Sequence, residues 1–468
     1  MKRRDFLKNI GLAAAGAAVA PELMAASPAL PAEDVKIKGE LNDVNIGFRS
    51  LKADVKRQLT VVIVGAGNRG TVYTDYALKY PDVVKIVGVS DINPDRAQRM
   101  AKKHNIPADR IYGDFHEIMA VPKFADAMII ATPDDVHFEP CMMALALGYD
   151  VLLEKPMAQT AEQCRRLLAQ SRKYGRILAT CHVLRYAPYF LALRHFITNG
   201  TIGDLVSIQH MEPIQYAHMS HSYVRGKWRD SKQTTPIILA KSCHDLDIIR
   251  WLVDSPCESI VADGSIYLFK ESMAPAGAPA RCTDGCPHEA NCPYSAIDIY
   301  VRKKGYLYVF DNLDKNDDNA IMERLRTTEY GRCVYHCDND QPDHYVADMV
   351  FKGGVTSSFT MDAFTPWGGR RTRVMGTRGM IEGDMKSFTI TDFRTRKTSV
   401  WNMDVNEVAE YKGAGHGGGD LALFRDFVEA VAYQDPARLS STVDVSIESH
   451  LMGFAAEKSR KSGRKEKP

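Results

Sequence analysis

Glycines at a fixed spacing follow an apolar stretch near residue 60 and could bind phosphate groups. The stretch LTVVIV runs directly into GAGNRG, and a segment with helical periodicity comes next. The first glycine permits a tight turn, the second lets a pyrophosphate reach the backbone, and the third lets helix and strand pack closely. Free N–H groups at the start of that helix would bind the phosphates. The predicted dinucleotide-contacting residues are Gly65, Gly67, Asn68, Arg69 and Gly70.

An acidic residue stands where such a site needs one. Asp91 ends the apolar run VVKIVGVSD, about 20 residues after Gly70. There its carboxylate would accept hydrogen bonds from the adenosine ribose hydroxyls and would repel a 2′-phosphate. The sequence therefore favours NAD over NADP.

Strand-like and helix-like segments alternate through residues 59–180. The strands DAMIIAT and DVLLEKP are separated by the helical stretch CMMALALG, and such alternation predicts a doubly wound parallel sheet of the α/β class. The stretches ATPDDVH and EKPMA lie at the ends of these two strands. Because ligands bind at the carboxyl ends of parallel strands, both stretches are candidate parts of a site.

The combination of GAGNRG, TPDDVH, EKP and the later SCHDLDIIRWL resembles the Gfo/Idh/MocA family of dinucleotide-dependent oxidoreductases, over residues 59–455. The resemblance implies an NAD-binding Rossmann domain at residues 59–180. At residues 181–455 it implies an α+β domain with an open, mainly antiparallel sheet. It also implies hydride transfer at a CH–OH group of a sugar or sugar derivative. The further cofactor contacts that it implies are Thr132, Pro133, His137, Glu154 and Lys155.

Three residues are candidates for the chemical step. The resemblance places Lys155 beside the nicotinamide, where a cation would stabilise developing alkoxide character, and makes His244 the base that takes the hydroxyl proton. Sugar-alcohol dehydrogenases of the family carry an aspartate four residues before this histidine, but Ala240 stands there and Lys241 follows. On one helix Lys241 and His244 would share a face, so Lys241 is the third candidate. The assignment of acid and base stays open.

The second domain offers aromatic and guanidinium side chains that could bind a polyol. Aromatic faces suit the C–H face of a sugar and charged donors suit its hydroxyls, with packing or interface roles as the alternative. Alternating segments such as YVADMVF and VTSSFTM predict the antiparallel sheet, and the resemblance implies that its outer face forms a homo-oligomer. The predicted substrate-binding residues are Arg185, Tyr186, Tyr223, Trp228 and Arg229.

An insertion at residues 281–337 is rich in cysteine. The stretches RCTDGCPHEANCPYSA and RCVYHC hold half of the ten cysteines of the chain. Clustered cysteines with nearby histidines are typical ligands of structural zinc, so a zinc ion is one interpretation. Disulfides, free buried thiols and, less expected, an iron–sulfur cluster are the others. The candidate ligands are Cys282, Cys286, Cys292 and Cys333.

Residues 1–26 have the pattern of an export signal. MKRRDFLKNIGLAAAGAAVA joins paired arginines to an apolar run that is too short for a membrane span, and RRDFLK resembles the twin-arginine (Tat) signal. We therefore expect the Tat translocase, which passes folded proteins, to export this protein to the periplasm or beyond. A general secretory signal or a frayed basic terminus is the alternative. Residues 27–58 are a predicted arm, and residues 456–468 are a predicted solvated basic tail.

Composition agrees with a globular protein that acts on a small molecule. Hydrophobic residues make up 45% and charged residues 25% of the chain, and its net charge of +2 comes without a long basic stripe, so no nucleic acid partner is expected. Because nicotinamide cofactors are scarce outside the cytoplasm, an exported enzyme should keep its NAD without exchange. The prediction is an exported NAD-dependent oxidoreductase acting on a sugar or glycoside. The alternatives are an NAD-dependent glycosidase that works by transient oxidation and elimination, and a non-catalytic sugar- or redox-sensing protein.

Overall fold

The computed structural model describes residues 41, 46, 48–405, 409–411 and 415–468. The predicted signal at residues 1–26 and most of the predicted arm at residues 27–58 lie outside the described residues. Within the described part of the chain, no helix is both long and apolar enough to cross a membrane.

The first half of the described chain forms a six-stranded parallel sheet. Its strands are β1 (Leu59–Val64), β2 (Val84–Ser90), β3 (Ile111–Tyr112), β4 (Ala127–Ile130), β5 (Asp150–Leu153) and β6 (Leu178–Thr180). They are ordered β3-β2-β1-β4-β5-β6, and the central strands are buried on both faces because helices cover each side. The strand order reverses between β1 and β4, which leaves a crevice for ligands. The prediction of a doubly wound parallel sheet is confirmed.

Helices connect these strands, and their starts differ in one respect. The connecting helices are α1 (Asn68–Lys79), α2 (Pro94–His104), α3 (Phe115–Met119), α4 (Phe138–Ala146) and α5 (Ala161–Tyr174). The Asn93 side chain caps α2 and the Thr160 side chain caps α5 by accepting backbone N–H groups. Helix α1 begins after Gly67 and has no side-chain cap. Its first N–H groups are therefore free to bind an anion.

A second sheet occupies the C-terminal half. Its eight strands are β7 (Leu205–Pro213), β8 (Cys257–Ser265), β9 (His344–Phe351), β10 (Thr356–Asp362), β11 (Arg371–Gly376), β12 (Gly379–Gly383), β13 (Ser387–Asp392) and β14 (Thr398–Asn402). They are ordered β14-β13-β12-β11-β7-β10-β9-β8, and the β7–β10 pair is parallel whereas the other pairs are antiparallel. Buried and exposed residues alternate along β9 and β10, which indicates one covered and one open face. The predicted open, mainly antiparallel sheet is confirmed.

The last helices return to the first sheet. The helices of the second half are α6 (Pro188–Thr198), α7 (Tyr216–Met219), α8 (Ile237–Ala240), α9 (Cys243–Val253), α10 (Asp318–Thr327), α11 (Gly419–Tyr433) and α12 (Val443–Ser462). Phe424 of α11 packs edge-on against Tyr76 of α1, with ring centroids 5.2 Å apart. Val443 of α12 joins the apolar cluster around Leu153. The chain therefore completes the core of its N-terminal sheet only near its C-terminus.

The prediction of a solvated tail at residues 456–468 is wrong at its start, whereas most of the later residues are exposed. Helix α12 continues to Ser462, and Ala456 and Ser459 are fully buried on it. Beyond the helix, Glu466 and Ile260 exchange two backbone hydrogen bonds of 2.9 Å. The prediction followed the basic residues, whereas small residues between them form a buried stripe along one helix face.

Candidate active site at the edge of the parallel sheet

The glycine loop is closely packed on one side and open on the other. Gly65 has φ +95°, and a Cβ atom there would lie 2.6 Å from the backbone of Ala131. A Cβ atom on Gly70 would lie 2.1 Å from the carbonyl oxygen of Gly65. At Gly67, by contrast, the nearest atom would be an Arg96 nitrogen at 4.0 Å. The open side adjoins the uncapped start of α1, so these residues fit a dinucleotide pyrophosphate.

Asp91 lies beside this loop at the end of β2. Its carboxylate accepts hydrogen bonds from the Ala66 N–H at 2.7 Å and from the Asn93 N–H at 2.8 Å. These bonds fix the carboxylate next to the glycine turn, which is where the ribose of a bound dinucleotide lies in such folds. The ribose contact of Asp91 stays a prediction.

The segment after β4 contributes backbone instead of free side chains. The Thr132 hydroxyl donates to the Val136 carbonyl at 3.2 Å, and Pro133 precedes a short helical turn. His137 is buried, with its ring nitrogens 2.8 Å from the Thr132 carbonyl oxygen and 2.7 Å from that of Pro156. Contrary to the prediction, His137 thus has no free polar atom for a cofactor. It ties together the loops that follow β4 and β5.

Arg69 of the glycine loop and Glu154 form a charge pair in which the carboxylate is buried and the guanidinium is half-buried. The Glu154 carboxylate accepts hydrogen bonds from Arg69 Nε at 2.6 Å, from the Tyr73 hydroxyl at 2.7 Å and from the Lys155 N–H at 2.9 Å. Burial opposes ionisation of Glu154, but the cations of Arg69 and Lys155 prevail and lower the pKa of its carboxyl. Arg69 also donates to Asp420 at 2.7 Å. It therefore binds two carboxylates of the protein.

Lys155 reaches from the first domain to the second. Its Nζ donates to the carbonyl oxygen of Ala240 at 2.8 Å, and the peptide bond that follows it to Pro156 is cis. Ala240 stands where sugar-alcohol dehydrogenases of the family carry an aspartate, and here its backbone carbonyl is the partner of the lysine. This contact brings the end of β5 next to the start of α9.

His244 lies in the first turn of α9, near the Lys155 ammonium group. The residue is 6% exposed, and its Nδ1 has no hydrogen-bond partner in the described chain. Burial, followed by the nearby Lys155 cation, lowers the pKa of His244 well below its ordinary value of 6.5. The imidazole is therefore uncharged at neutral pH, and its unpartnered Nδ1 can accept a hydrogen bond, although the same shift makes it a weaker base.

Lys241 differs from its prediction. Helix α8 ends at Ala240 and α9 begins at Cys243, so Lys241 and His244 do not lie on one continuous helix. Lys241 Nζ lies 3.0 Å from Glu212 Oε1, and burial lowers the pKa of the lysine although Glu212 acts in the opposite direction. The predicted shared helix face is wrong because the chain breaks its helix between these residues.

Two predicted substrate ligands are structural. Arg185 is fully buried and donates to both oxygens of Asp247, each at 2.6 Å. The buried Tyr186 hydroxyl accepts the N–H of Ser441 at 3.1 Å and contacts its hydroxyl at 2.8 Å. Contrary to the prediction, these residues support the fold and present no free polar atom.

The other three predicted substrate ligands differ in burial and in their partners. Tyr223 is buried, and burial raises the pKa of its hydroxyl well above the ordinary range, with Cys243 and Asp134 as neighbours. Trp228 is 37% exposed, with its ring 6.4 Å from that of Tyr223. Arg229 points away to an ion pair with Asp338 at 3.0 Å. Of the three, Tyr223 lies nearest to the start of α9.

His416, in the glycine-rich segment GHGG, lies beside His244, and its partner Asp420 was missed as a site residue. The His416 ring lies 5.9 Å from the His244 ring, and its Nδ1 is 3.0 Å from an Asp420 carboxylate oxygen. Burial opposes ionisation of Asp420, but His416 and Arg69 prevail and lower its pKa to about 2. The spacing of four residues between His416 and Asp420 was the available indication. His416 adds a second imidazole to the site.

The zinc prediction is not supported. Each of the ten cysteines is a free thiol. In the ranges that the structure describes, no three His, Cys, Asp or Glu side chains converge closely enough to hold one metal ion. A structural zinc ion would need four such ligands around it.

Family models match both halves of the chain. Residues 59–182 match the NAD-binding Rossmann fold of an oxidoreductase family, and residues 194–467 match the C-terminal alpha/beta domain of the same family. A Bacillus subtilis protein named as an oxidoreductase, YteT, is 26% identical over 73% of this chain and 81% of its own. Inositol 2-dehydrogenase of Klebsiella pneumoniae is 30% identical over 43% of this chain and 56% of its own.

Solved structures share the fold. The inositol dehydrogenase homologue of Azotobacter vinelandii, in complex with NAD⁺, has a TM-score of 0.65 at 15% identity, covering 90% of this chain and 100% of its own. A levoglucosan dehydrogenase in complex with NADH and levoglucosan has a TM-score of 0.65 at 16% identity, covering 88% and 99%. By its two family matches, this chain belongs to the Gfo/Idh/MocA oxidoreductase family, with an NAD-binding Rossmann domain and a C-terminal alpha/beta domain.

Proposed function

We propose that this protein is an NAD-dependent oxidoreductase that acts on a CH–OH group of a sugar, a polyol or a derivative of one. The observation that carries the proposal is the contact of Lys155 with the Ala240 carbonyl, which brings its cation from the first domain close enough to His244 of the second to act on the pKa of the imidazole. Relatives named as inositol dehydrogenases support the substrate class. The family assignment disfavours the sensing role.

The protein residues have separate tasks in this scheme. The loop from Gly65 to Gly70 and the Asp91 carboxylate would hold NAD, which supplies the hydride acceptor when bound. The neutral His244 imidazole accepts the proton of the substrate hydroxyl. The Lys155 ammonium stabilises the negative charge that develops on that oxygen. Glu154 fixes the lysine backbone through its 2.9 Å hydrogen bond.

A second candidate is an NAD-dependent glycosidase. Such an enzyme oxidises a ring hydroxyl transiently, and then needs one group to remove the acidified C–H proton and another to protonate the leaving oxygen. The His416–Asp420 pair, with its ring 5.9 Å from His244, offers the additional acid or base. This arrangement is the reason for keeping the glycosidase as the second candidate.

One purified sample separates the two candidates. The full chain is denatured and the supernatant assayed for nicotinamide, and intact protein is then incubated with sugars, polyols and aryl glycosides without added cofactor. The oxidoreductase predicts bound NAD(H) whose fluorescence changes with an alcohol or keto-sugar substrate. Release of phenol from a glycoside identifies the glycosidase instead. Protein that neither contains nor binds NAD would contradict both.

We also propose export through the Tat translocase with NAD retained, on the basis of RRDFLK and the dinucleotide loop. Replacing Arg3 and Arg4 by lysine keeps the charge but removes the paired arginines. The variant should stay in the cytoplasm while the unchanged chain reaches the periplasm. Equal export of both would favour the general secretory route.

A homo-oligomer through the second sheet is a further proposal. The open sheet face carries a groove of about 760 Å³, whose wall includes Gln209, Thr360 and Arg373 from three strands. Light scattering after size exclusion should show more than one chain per particle. Glu382→Arg on this face should then lower the particle mass, and a monomeric unchanged protein would contradict the proposal.

A further inference from the structure

Four cysteines of the insertion surround one cavity. The cavity has a volume of about 240 Å³, and its wall includes Arg225 and Tyr294. The chemistry proposed above makes no use of it. The cysteines that line it are Cys282, Cys286, Cys292 and Cys333.

Backbone pairing brings together cysteines that are far apart in sequence. The Cys282 N–H donates to the Gly331 carbonyl at 2.9 Å, and the Cys333 N–H donates to the Ala280 carbonyl at 2.8 Å. These bonds flank an antiparallel bridge. Cys282 and Cys333 therefore lie diagonally across this bridge, Cys282 opposite Gly331 and Cys333 opposite Ala280.

Short turns place the other two cysteines on the same cavity. The Cys286 carbonyl accepts the Glu289 N–H at 3.2 Å, and the Cys292 carbonyl accepts the Ser295 N–H at 3.1 Å. A proline follows each of the two cysteines and fixes its own φ. The cavity wall is thus built from ordered backbone.

A buried cation on this wall lacks an anionic partner. Arg225 is fully buried, its Nε donates to the Arg332 carbonyl at 2.6 Å, and its Nη2 donates to the Tyr294 carbonyl at 2.7 Å. Its Nη1 has no partner, and no carboxylate pairs with it in the described chain. A buried charge without a counter-charge is costly. Negative charge within the cavity would remove that cost.

The sulfur atom of Cys282 already accepts hydrogen bonds. The Ala296 N–H lies 3.5 Å from it and Arg225 Nη2 lies 3.7 Å from it. Hydrogen bonds to sulfur tune the iron–sulfur centres that cysteine thiolates hold.

The spacing of the four cysteines bears on which thiolate-bound metal group the cavity could hold. Four sulfurs around a single zinc ion would lie about 3.8 Å from one another, given a Zn–S distance of about 2.3 Å, and no three ligands converge in that way in the described residues. Four cysteines placed around a cavity instead suit a cluster of several metal atoms, in which each thiolate binds a different metal atom. The protein-bound group of this kind with four cysteine ligands is an iron–sulfur cluster.

We propose that Cys282, Cys286, Cys292 and Cys333 ligate a [4Fe–4S] cluster whose negative charge pairs with Arg225. The cluster ties the insertion to the turn Ser220–Arg225, which also carries Tyr223. It therefore fixes this wall of the candidate active site from outside.

The test uses the full chain purified without oxygen. Iron and acid-labile sulfide should each be present at about four per chain, with broad visible absorption from thiolate-to-iron charge transfer. One-electron reduction by dithionite should give an electron paramagnetic resonance signal. Cys286→Ser and Cys292→Ser should each lose most of the iron. Circular dichroism checks that both variants fold.

Cys337→Ser is the matched control. Cys337 belongs to the same insertion but does not line the cavity, so this variant should keep its iron and sulfide. Arg225→Gln should keep the cluster but lower its reduction potential, because a nearby positive charge favours the reduced form. Loss of iron in Cys337→Ser would overturn the ligand assignment.

Two further results would overturn the proposal. One is zinc at one per chain without iron or sulfide. The other is protein with disulfides among these cysteines that takes up no cluster after reduction and incubation with iron and sulfide. Bound iron with sulfide in the unchanged chain and its loss in Cys286→Ser support it.

Discussion

The glycine loop and the substrate side of the candidate site differ in what holds them. The loop depends on backbone geometry: Gly70 packs against Gly65, and Asp91 binds the Ala66 N–H. The substrate side depends on buried ion pairs, such as the one between Arg185 and Asp247. The first region joins neighbouring strands, whereas the second joins segments that are far apart in sequence.

This difference predicts which kind of substitution should damage each region. Backbone packing tolerates changes that add no atoms, and fails where a side chain would enter occupied space. A buried ion pair adds little net stability, but removal of one partner leaves an unpaired charge. We therefore expect charge deletions to damage the substrate side and added side-chain atoms to damage the loop.

The largest effect is expected from Arg185→Met. It leaves the buried Asp247 carboxylate with only the His182 imidazole and the Ser449 hydroxyl as side-chain partners among the described residues, which should lower the free energy of unfolding by about 3–5 kcal/mol. Urea denaturation measures the change. The control Arg229→Met removes a cation whose partner Asp338 is largely exposed, so its effect should stay below about 1 kcal/mol. Equal effects would remove the distinction between buried and exposed pairs.

Lys155→Ala should affect chemistry more than folding. Loss of the cation should lower kcat by about 100-fold or more, as for removal of one electrostatic contact to a developing oxyanion. The exposed Lys102→Ala is the matched control and should retain full activity. Steady-state kinetics on the substrate found in the panel gives the comparison. A Lys155→Ala enzyme with unchanged kcat would refute the site.

Asp420 links the two regions through Arg69 and His416, and its effect should depend on pH. Its pKa of about 2 lies below the ordinary value of 3.8, so its stabilisation is present above pH 4 and is lost as the pH falls from 4 towards 2. Asp420→Asn should lose about 2 kcal/mol at neutral pH and show a flatter stability curve in that window. Asp444→Asn, in an exposed pair with Arg172, is the control. An unchanged curve in Asp420→Asn would contradict the coupling.

The smallest effect is expected from Gly67→Ala. The added Cβ has no atom nearer than 4.0 Å, so folding should be unchanged. It would occupy the open side of the loop and should weaken NAD binding about tenfold, a change of about 1.4 kcal/mol. Gly70→Ala should instead impair folding, because its Cβ would lie 2.1 Å from a carbonyl oxygen. Calorimetry and thermal unfolding separate the two outcomes.

The predictions from sequence were accurate where a residue acts through its own backbone. The glycine loop, the strand alternation and the second sheet follow from local periodicity and turn chemistry. They were wrong for Arg185 and Tyr186, because nothing in their own segments shows that Asp247 and Ser441 lie next to them. The basic residues after position 455 likewise concealed a buried helix face.

By itself, the sequence determined the parallel sheet, its dinucleotide loop and the residue types that could transfer a proton. These features depend on the spacing of glycines and apolar residues within about 30 positions, which fixes local conformation. Only the tertiary structure decided that Lys155 reaches Ala240, that His416 joins His244 and that four cysteines share one cavity. The reason is that burial and charge pairing are set by packing between distant segments, which a linear pattern does not encode.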